Sequence, residues 1–158
     1  MRNYLQSAFV LRSSLITGIV LTWFVGMLFA GTAQAQNHLC TTAEGKLVLD
    51  EAVTLRSWDA VYRSFKRFGH CDDGAIAEGY SESVARILVD HWNRLPRFAE
   101  LAGKSSAFRA FVIRHVDATL NTDDLEKIKE NASTHCPATL WKTCNDLAKQ
   151  ADQALKEP

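Results

Sequence analysis

The chain has no excess of charge of either sign, because 18 lysines and arginines balance 18 aspartates and glutamates across its 158 residues. A protein that binds nucleic acid through a basic surface needs such an excess, so the sequence argues against that class. Charged residues make up 23% of the chain and hydrophobic residues 47%, a mixture too apolar for intrinsic disorder. The composition therefore predicts one small folded domain.

Motifs that would assign a reaction or a metal are also missing. The sequence contains no G-x-S-x-G turn, no H-E-x-x-H helix, no phosphate-binding glycine loop and no Glu-x-x-His pair. Its cysteines show no C-x-x-C spacing of the kind that zinc sites use. We therefore expect no metal, no cofactor and no catalytic residue.

The N-terminal 35 residues have the order of a secretory signal peptide. Two early arginines precede an apolar run over residues 15–30, and the small residues Ala33 and Ala35 follow. The run of sixteen residues is shorter than the roughly 20 that span a bilayer as a helix. We predict that residues 1–35 are a signal peptide cleaved after Ala35. The protein is then periplasmic or secreted, with no membrane anchor after cleavage.

All four cysteines lie in the predicted mature part, residues 36–158. They are Cys40, Cys71, Cys136 and Cys144. Cleavage removes two arginines and no acidic residue, so this part carries 16 basic residues against 18 acidic ones. Export to an oxidising compartment predicts that the cysteines form two disulfides, for which three pairings are possible.

Helix geometry favours one of these pairings. On a continuous helix, Cys136 and Cys144 would lie about 12 Å apart, whereas a disulfide needs Cα atoms within about 7 Å. Pro137 disfavours helical backbone at the residue before it, so the preceding helix ends near His135 and a loop can fold back. We favour Cys136–Cys144 with Cys40–Cys71. A link between Cys71 and one of the two C-terminal cysteines is the main alternative.

The mature part has a helical pattern. Apolar residues recur three and four positions apart, which is typical of helices that bury one face, and no alternating strand of useful length occurs. We expect residues 36–45 to be irregular, and residues 46–49 lean towards β structure. The prediction is an all-α fold, a small bundle of five to six helices in a single domain over 36–158. The predicted helices cover about 54–68, 72–95, 98–101, 105–120, 122–135 and 140–155.

One predicted helix contains two glycines, Gly74 and Gly79, among small residues. Each glycine inside a helix costs about 1 kcal/mol relative to alanine, so a compensating interaction is expected. The low bulk lets another helix approach closely. We favour an internal helix contact there over a binding groove for a partner.

Two histidines are the candidates for an enzymatic alternative. His91 and His115 each fall near the apolar stripe of a predicted helix, and a converging pair could act as acid and base. A packed structural histidine is the interpretation that we favour for each position. A thiol beside a base also occurs at His70 and Cys71, but Cys71 is expected to be oxidised. Asp72 and Asp73 after it are explained as helix caps.

The spacing of several features resembles a known family. Cys71 precedes a small-residue helix containing Gly79 and Tyr80, and a later helix ends at Cys136 and Pro137. This arrangement, over residues 71–137, resembles the small exported all-helical immunity proteins that neutralise type VI secretion amidase effectors. The resemblance implies a periplasmic, disulfide-stabilised inhibitor that occludes the active site of an effector.

The function predicted from the sequence is therefore that of an exported, non-catalytic binding protein, with an effector-neutralising, immunity-like inhibitor as its more specific form. Its partner would be a secreted effector or an envelope enzyme, and not a nucleic acid. The alternatives are a small periplasmic enzyme that uses His91 or His115, and an envelope structural or stress protein. The residues predicted to contact the partner are Asp72, Asp73, Glu78, Tyr80 and Glu82.

Overall fold

A computed structural model describes residues 39–157, which form seven α-helices and no β-strand. The all-α prediction is confirmed for this part of the chain, while the predicted signal peptide lies outside it. None of the helices in this part has the length and apolar character needed to cross a membrane. The helices are α1 (Thr42–Ala52), α2 (Trp58–Phe68), α3 (Gly74–Asp90), α4 (Leu95–Lys104), α5 (Ser106–Arg114), α6 (Thr122–Thr134) and α7 (Trp141–Ala154).

Helix α1 is the element that the sequence pattern missed. The expectation of irregular chain over 36–45 is wrong from Thr42 onward, and the β-leaning stretch 46–49 is helical. Helix α1 brings the count in the described residues to seven, above the predicted five to six. A capping box begins the helix: the Thr41 side chain accepts from the Glu44 amide at 3.2 Å, and Glu44 accepts from the Thr41 amide at 3.1 Å. Only Val48 and Ala52 are buried, so the apolar stripe is too narrow to stand out.

The boundary between α3 and α4 also differs from the prediction. Helix α3 ends at Asp90, and a short 3₁₀ turn over Trp92–Arg94 connects it to α4. Pro96 lies in the first turn of α4, where its missing amide hydrogen removes no helical hydrogen bond, so it begins one helix instead of ending another. Helix α5 likewise ends at Arg114, six residues before the predicted end.

Aromatic rings from four helices form the centre of the core. Phe111 of α5 packs at 5.0 Å between ring centroids against both Phe65 of α2 and Tyr80 of α3. Trp58 and Phe98 make a similar contact between α2 and α4, also at 5.0 Å. Tilted and edge-on pairs of this kind contribute beyond the area they bury. These contacts hold the four helices α2, α3, α4 and α5 together around one apolar centre.

Both disulfides form as predicted. The Cα atoms of Cys40 and Cys71 lie 4.8 Å apart, and those of Cys136 and Cys144 lie 6.0 Å apart. The first bridge joins the chain before α1 to the turn before α3. The second spans a bend after Pro137, where a 3₁₀ turn replaces continuous helix.

The predicted internal contact of the small-residue helix is confirmed at Gly79. A Cβ atom on Gly79 would lie 3.0 Å from the Val53 side chain and 3.1 Å from that of Ala52, so α1 approaches α3 closely there. Gly74 has a different role, since it is exposed and takes a φ of +49° as α3 begins.

We expect Gly79→Ala to lower the free energy of unfolding by about 1–3 kcal/mol, because the added methyl group overpacks the contact between α1 and α3. Gly103→Ala is the matched control, since a Cβ there meets no described atom within 4 Å and alanine favours the helix. Urea denaturation followed by circular dichroism measures both. Equal effects of the two substitutions would contradict the close approach.

Candidate functional site

The five residues predicted to contact a partner do not share one surface. Asp73, Glu78 and Glu82 are exposed on or beside α3, whereas Tyr80 is 0% exposed and the Asp72 side chain 5%. The expectation that Tyr80 and Asp72 lie on an accessible surface is therefore wrong. Tyr80 belongs to the apolar stripe of α3, and Ser64 satisfies its hydroxyl group at 2.8 Å. Burial raises the pKa of Tyr80 to about 12.

Asp72 instead belongs to a buried polar cluster. Its Oδ1 atom lies 3.2 Å from Nε2 of His115, and its other oxygen pairs with the Arg114 guanidinium. The two atoms are close, but they are not aligned as a hydrogen bond. Asp73, and not Asp72, caps α3 by accepting from the Gly74 amide at 2.9 Å.

Ser81 completes this cluster on the other side of the imidazole ring. Its Oγ lies 3.0 Å from Nδ1 of His115 and donates to Oδ2 of Asp117 at 2.8 Å. The cluster of Asp72, His115, Ser81 and Asp117 thus ties α3 and the end of α5 to the turn that contains Cys71. Sequence reasoning missed it because more than 30 residues separate Ser81 from His115.

A serine, a histidine and an aspartate in contact are the components of a nucleophilic triad. Ser81 is 1% exposed and His115 2% exposed, so no substrate reaches the hydroxyl while the helices stay packed. The Ser81 hydroxyl also donates to a carboxylate, so its proton is not directed to His115. The arrangement is suited to holding the fold together.

Opposing effects set the charge of Asp72. Burial alone would raise the pKa of its carboxyl group, but the close approach of His115 and then of the Arg114 guanidinium lowers this pKa below its usual value. The net effect is a carboxylate that stays ionised inside the protein. Its counter-charges are therefore part of what stabilises the fold.

The two histidines proposed for acid–base work are not brought together. His91 caps the C-terminal end of α3 and is partly exposed. His115 contacts Ser81, which lies ten residues before His91 and hence about 15 Å from it along the helix axis. The open cleft shared by two rings, which the enzymatic alternative requires, is not formed by this pair.

Two surface clefts are lined by none of the four residues of the buried cluster. One, of about 370 Å³, is lined by Asn93, Arg94, Asp59 and Arg97 among others, and Asp59 pairs with Arg97 within it. The other, of about 440 Å³, lies between α5 and α7. Neither of these clefts is lined by Ser81 or His115, so neither gives access to them.

Trp141 is the most unusual residue of the surface. It is 68% exposed, although it is a large apolar residue in a helix that buries one face. It begins α7 on the flank of a stripe in which Cys144, Leu147 and Ala151 are buried. Trp141 lies inside the loop that the Cys136–Cys144 disulfide closes, so its backbone is held in place.

No protein-family model matches this chain, and no curated protein or solved structure matches it either.

Proposed function

We propose that this chain is an exported, non-catalytic protein that binds a protein partner in the periplasm or outside the cell. Disulfide pairing of all four cysteines supports export, because such bridges persist in oxidising compartments. Ser81 and His115 are buried, which supports a function that needs no activated side chain.

The observation that carries the proposal is the exposure of Trp141 at the start of α7, inside the segment that the Cys136–Cys144 disulfide closes. Tryptophan is enriched among the few residues that provide most of the binding energy at protein interfaces. A disulfide-closed loop already holds its backbone in one conformation, so binding costs less conformational entropy than it would for a flexible loop. Trp141 with its exposed neighbour Lys142 is therefore the contact that we assign to the partner.

Neutralisation of a secreted effector is the more specific form of this proposal. An inhibitor that occludes an active site needs a rigid surface, which two disulfides and a tightly packed core provide. The exposed acidic residues Asp73, Glu78 and Glu82 offer a second contact surface that suits a basic effector. The resemblance to immunity proteins against type VI amidase effectors points the same way.

We expect Trp141→Ala to weaken partner binding by at least about thirtyfold, the loss that a hot-spot residue of about 2 kcal/mol implies. The oxidised protein is used to capture its partner from an envelope extract, and the isolated partner is then titrated against each variant. Stability should change little, because most of the Trp141 side chain is already in water.

Leu47→Ala is the matched control, since Leu47 is a large apolar residue that is 57% exposed on a different helix. Its affinity for the partner should equal that of the unsubstituted protein. Unchanged affinity of the Trp141 variant would contradict the assigned contact. If the oxidised protein retains no protein partner at all, the alternative of an envelope structural protein is favoured.

A further inference from the structure

The corner joined by Cys40 and Cys71 gathers four side chains that can bind a metal. The candidate donor atoms of Glu44, His70 and Cys71 all lie within 4.8 Å of one another. The sulfur atom of Cys40 is bonded to that of Cys71, so it lies next to this group. Two disulfide sulfurs, an imidazole and a carboxylate from two segments of the chain are thus close to one another.

Glu44 is held with one oxygen directed towards this group. Thr41 donates to Oε2 of Glu44 from its hydroxyl group at 2.7 Å and from its amide at 3.1 Å. The other oxygen, Oε1, lies 3.4 Å from Nε2 of His70. The hydrogen bonds from Thr41 lower the pKa of Glu44 to about 2, so the group is a carboxylate at neutral pH.

The two cysteines are held in place by elements that do not depend on their bond. Cys71 is buried at the end of a 3₁₀ turn, next to His70, and Cys40 directly precedes the capping residue of α1. Helix α1 contacts both α3 and the 3₁₀ turn that ends at Cys71, so the two segments are held near each other by packing. We therefore expect the sulfur atoms to stay close when the bond between them is broken.

We propose that reduction of the Cys40–Cys71 disulfide converts this corner into a zinc site. The ligands are the thiolates of Cys40 and Cys71, Nε2 of His70 and Oε1 of Glu44. Zinc in proteins takes four such ligands in a tetrahedron, at about 2.0–2.3 Å from the metal and so about 3.3–3.8 Å from one another. The separations present require only small side-chain shifts to reach that geometry.

The reaction balances with a dithiol as the reductant. The dithiol gives two electrons and two protons to the sulfur–sulfur bond and becomes a disulfide, leaving Cys40 and Cys71 as thiols. Zinc then binds, and the two thiols release their protons as they become thiolate ligands. The same corner thus holds a covalent cross-link when oxidised and a metal cross-link when reduced, whatever partner the protein binds.

The second disulfide provides an internal control. His135 precedes Cys136 just as His70 precedes Cys71. In the described part of the chain, however, Cys136 and Cys144 belong to no cluster of three metal-binding side chains, and Nδ1 of His135 contacts the Thr134 hydroxyl at 2.8 Å. The two sequence patterns look alike, but the structure supports a metal at only one of them.

The test is a Zn²⁺ titration of the exported protein, reduced with a phosphine without oxygen and competed against a coloured chelator. We expect one Zn²⁺ per reduced chain and none on the oxidised chain. His70→Gln and Glu44→Gln should each weaken binding by at least about tenfold, whereas His135→Gln should leave it unchanged. The double variant Cys136→Ser with Cys144→Ser should still bind.

Three results would overturn the proposal: no binding by the reduced protein, equal binding by the oxidised protein, or equal effects of His70→Gln and His135→Gln. If reduction unfolds the chain, the helix content measured by circular dichroism becomes the readout. Zinc should then restore helix in the unsubstituted protein and fail to do so in the double variant Cys40→Ser with Cys71→Ser. Failure to restore helix in the unsubstituted protein would also overturn it.

Discussion

Replacing Asp72 by alanine is expected to lower the free energy of unfolding by about 2–3 kcal/mol, because it leaves a buried polar side chain without its partner. His115, which is buried with Nε2 facing Asp72, would keep its position without the carboxylate. Urea denaturation at neutral pH measures the loss.

Asp73→Ala is the control for this prediction. Asp73 is the next residue and carries the same charge, but it is exposed and caps α3 through a single hydrogen bond. Its loss should cost about 1 kcal/mol, the usual contribution of a helix cap. If the two substitutions cost the same, the buried pair has no special role in stability.

The same pair predicts how stability changes with acid. Burial would raise the pKa of Asp72, but His115 and Arg114 lower it below the value of about 3.9 that an aspartate has in an unfolded chain. The stabilisation is therefore fully present above that value and is lost as the pH falls through the lower pKa of the folded state. Asp72→Asn should flatten the dependence of unfolding free energy on pH in this acidic range.

Removing the disulfides one at a time should lower the free energy of unfolding by unequal amounts. The Cys40–Cys71 bridge spans 31 residues and the Cys136–Cys144 bridge spans 8. The entropy that a bridge removes from the unfolded chain rises with the logarithm of the loop length, which gives about 3.7 kcal/mol for the longer loop and about 2.5 kcal/mol for the shorter. We expect the double serine variant of the longer loop to be the less stable by about 1 kcal/mol.

This comparison is made with chelator present, so that no metal substitutes for the missing bridge. The free energies of unfolding of the two double variants are compared with that of the intact protein at one pH. A larger loss for the Cys136 and Cys144 variant would contradict loop closure as the main source of stabilisation. It would indicate that the bend at Pro137 needs its bridge to keep its shape.

The parts of the fold that could be predicted from sequence are those fixed by local geometry. The pairing of Cys136 with Cys144 follows from the effect of a proline on the residue before it. The close helix contact at Gly79 follows from the lack of a side chain. Apolar spacing located the other six helices because each buries a continuous stripe.

The remaining features depend on contacts between distant residues. Helix α1 buries only Val48 and Ala52 strongly, so its pattern shows no stripe, although the capping box of Thr41 and Glu44 was present in the sequence as a signal. Tyr80, which we predicted to contact a partner, packs instead against Phe111 inside the core. The contact between Asp72 and His115 joins the turn before α3 to the end of α5, and spacing along the chain does not encode it.

We propose that this chain is exported and that oxidation then stabilises its helical core through two specific disulfides. Mass analysis of the protein from its native cell envelope, before and after reduction, tests it most directly. We predict a chain that begins at Gln36 and gains the mass of four hydrogens on reduction, with proteolytic fragments linked as Cys40–Cys71 and Cys136–Cys144. An intact N-terminal segment together with four free thiols would contradict it.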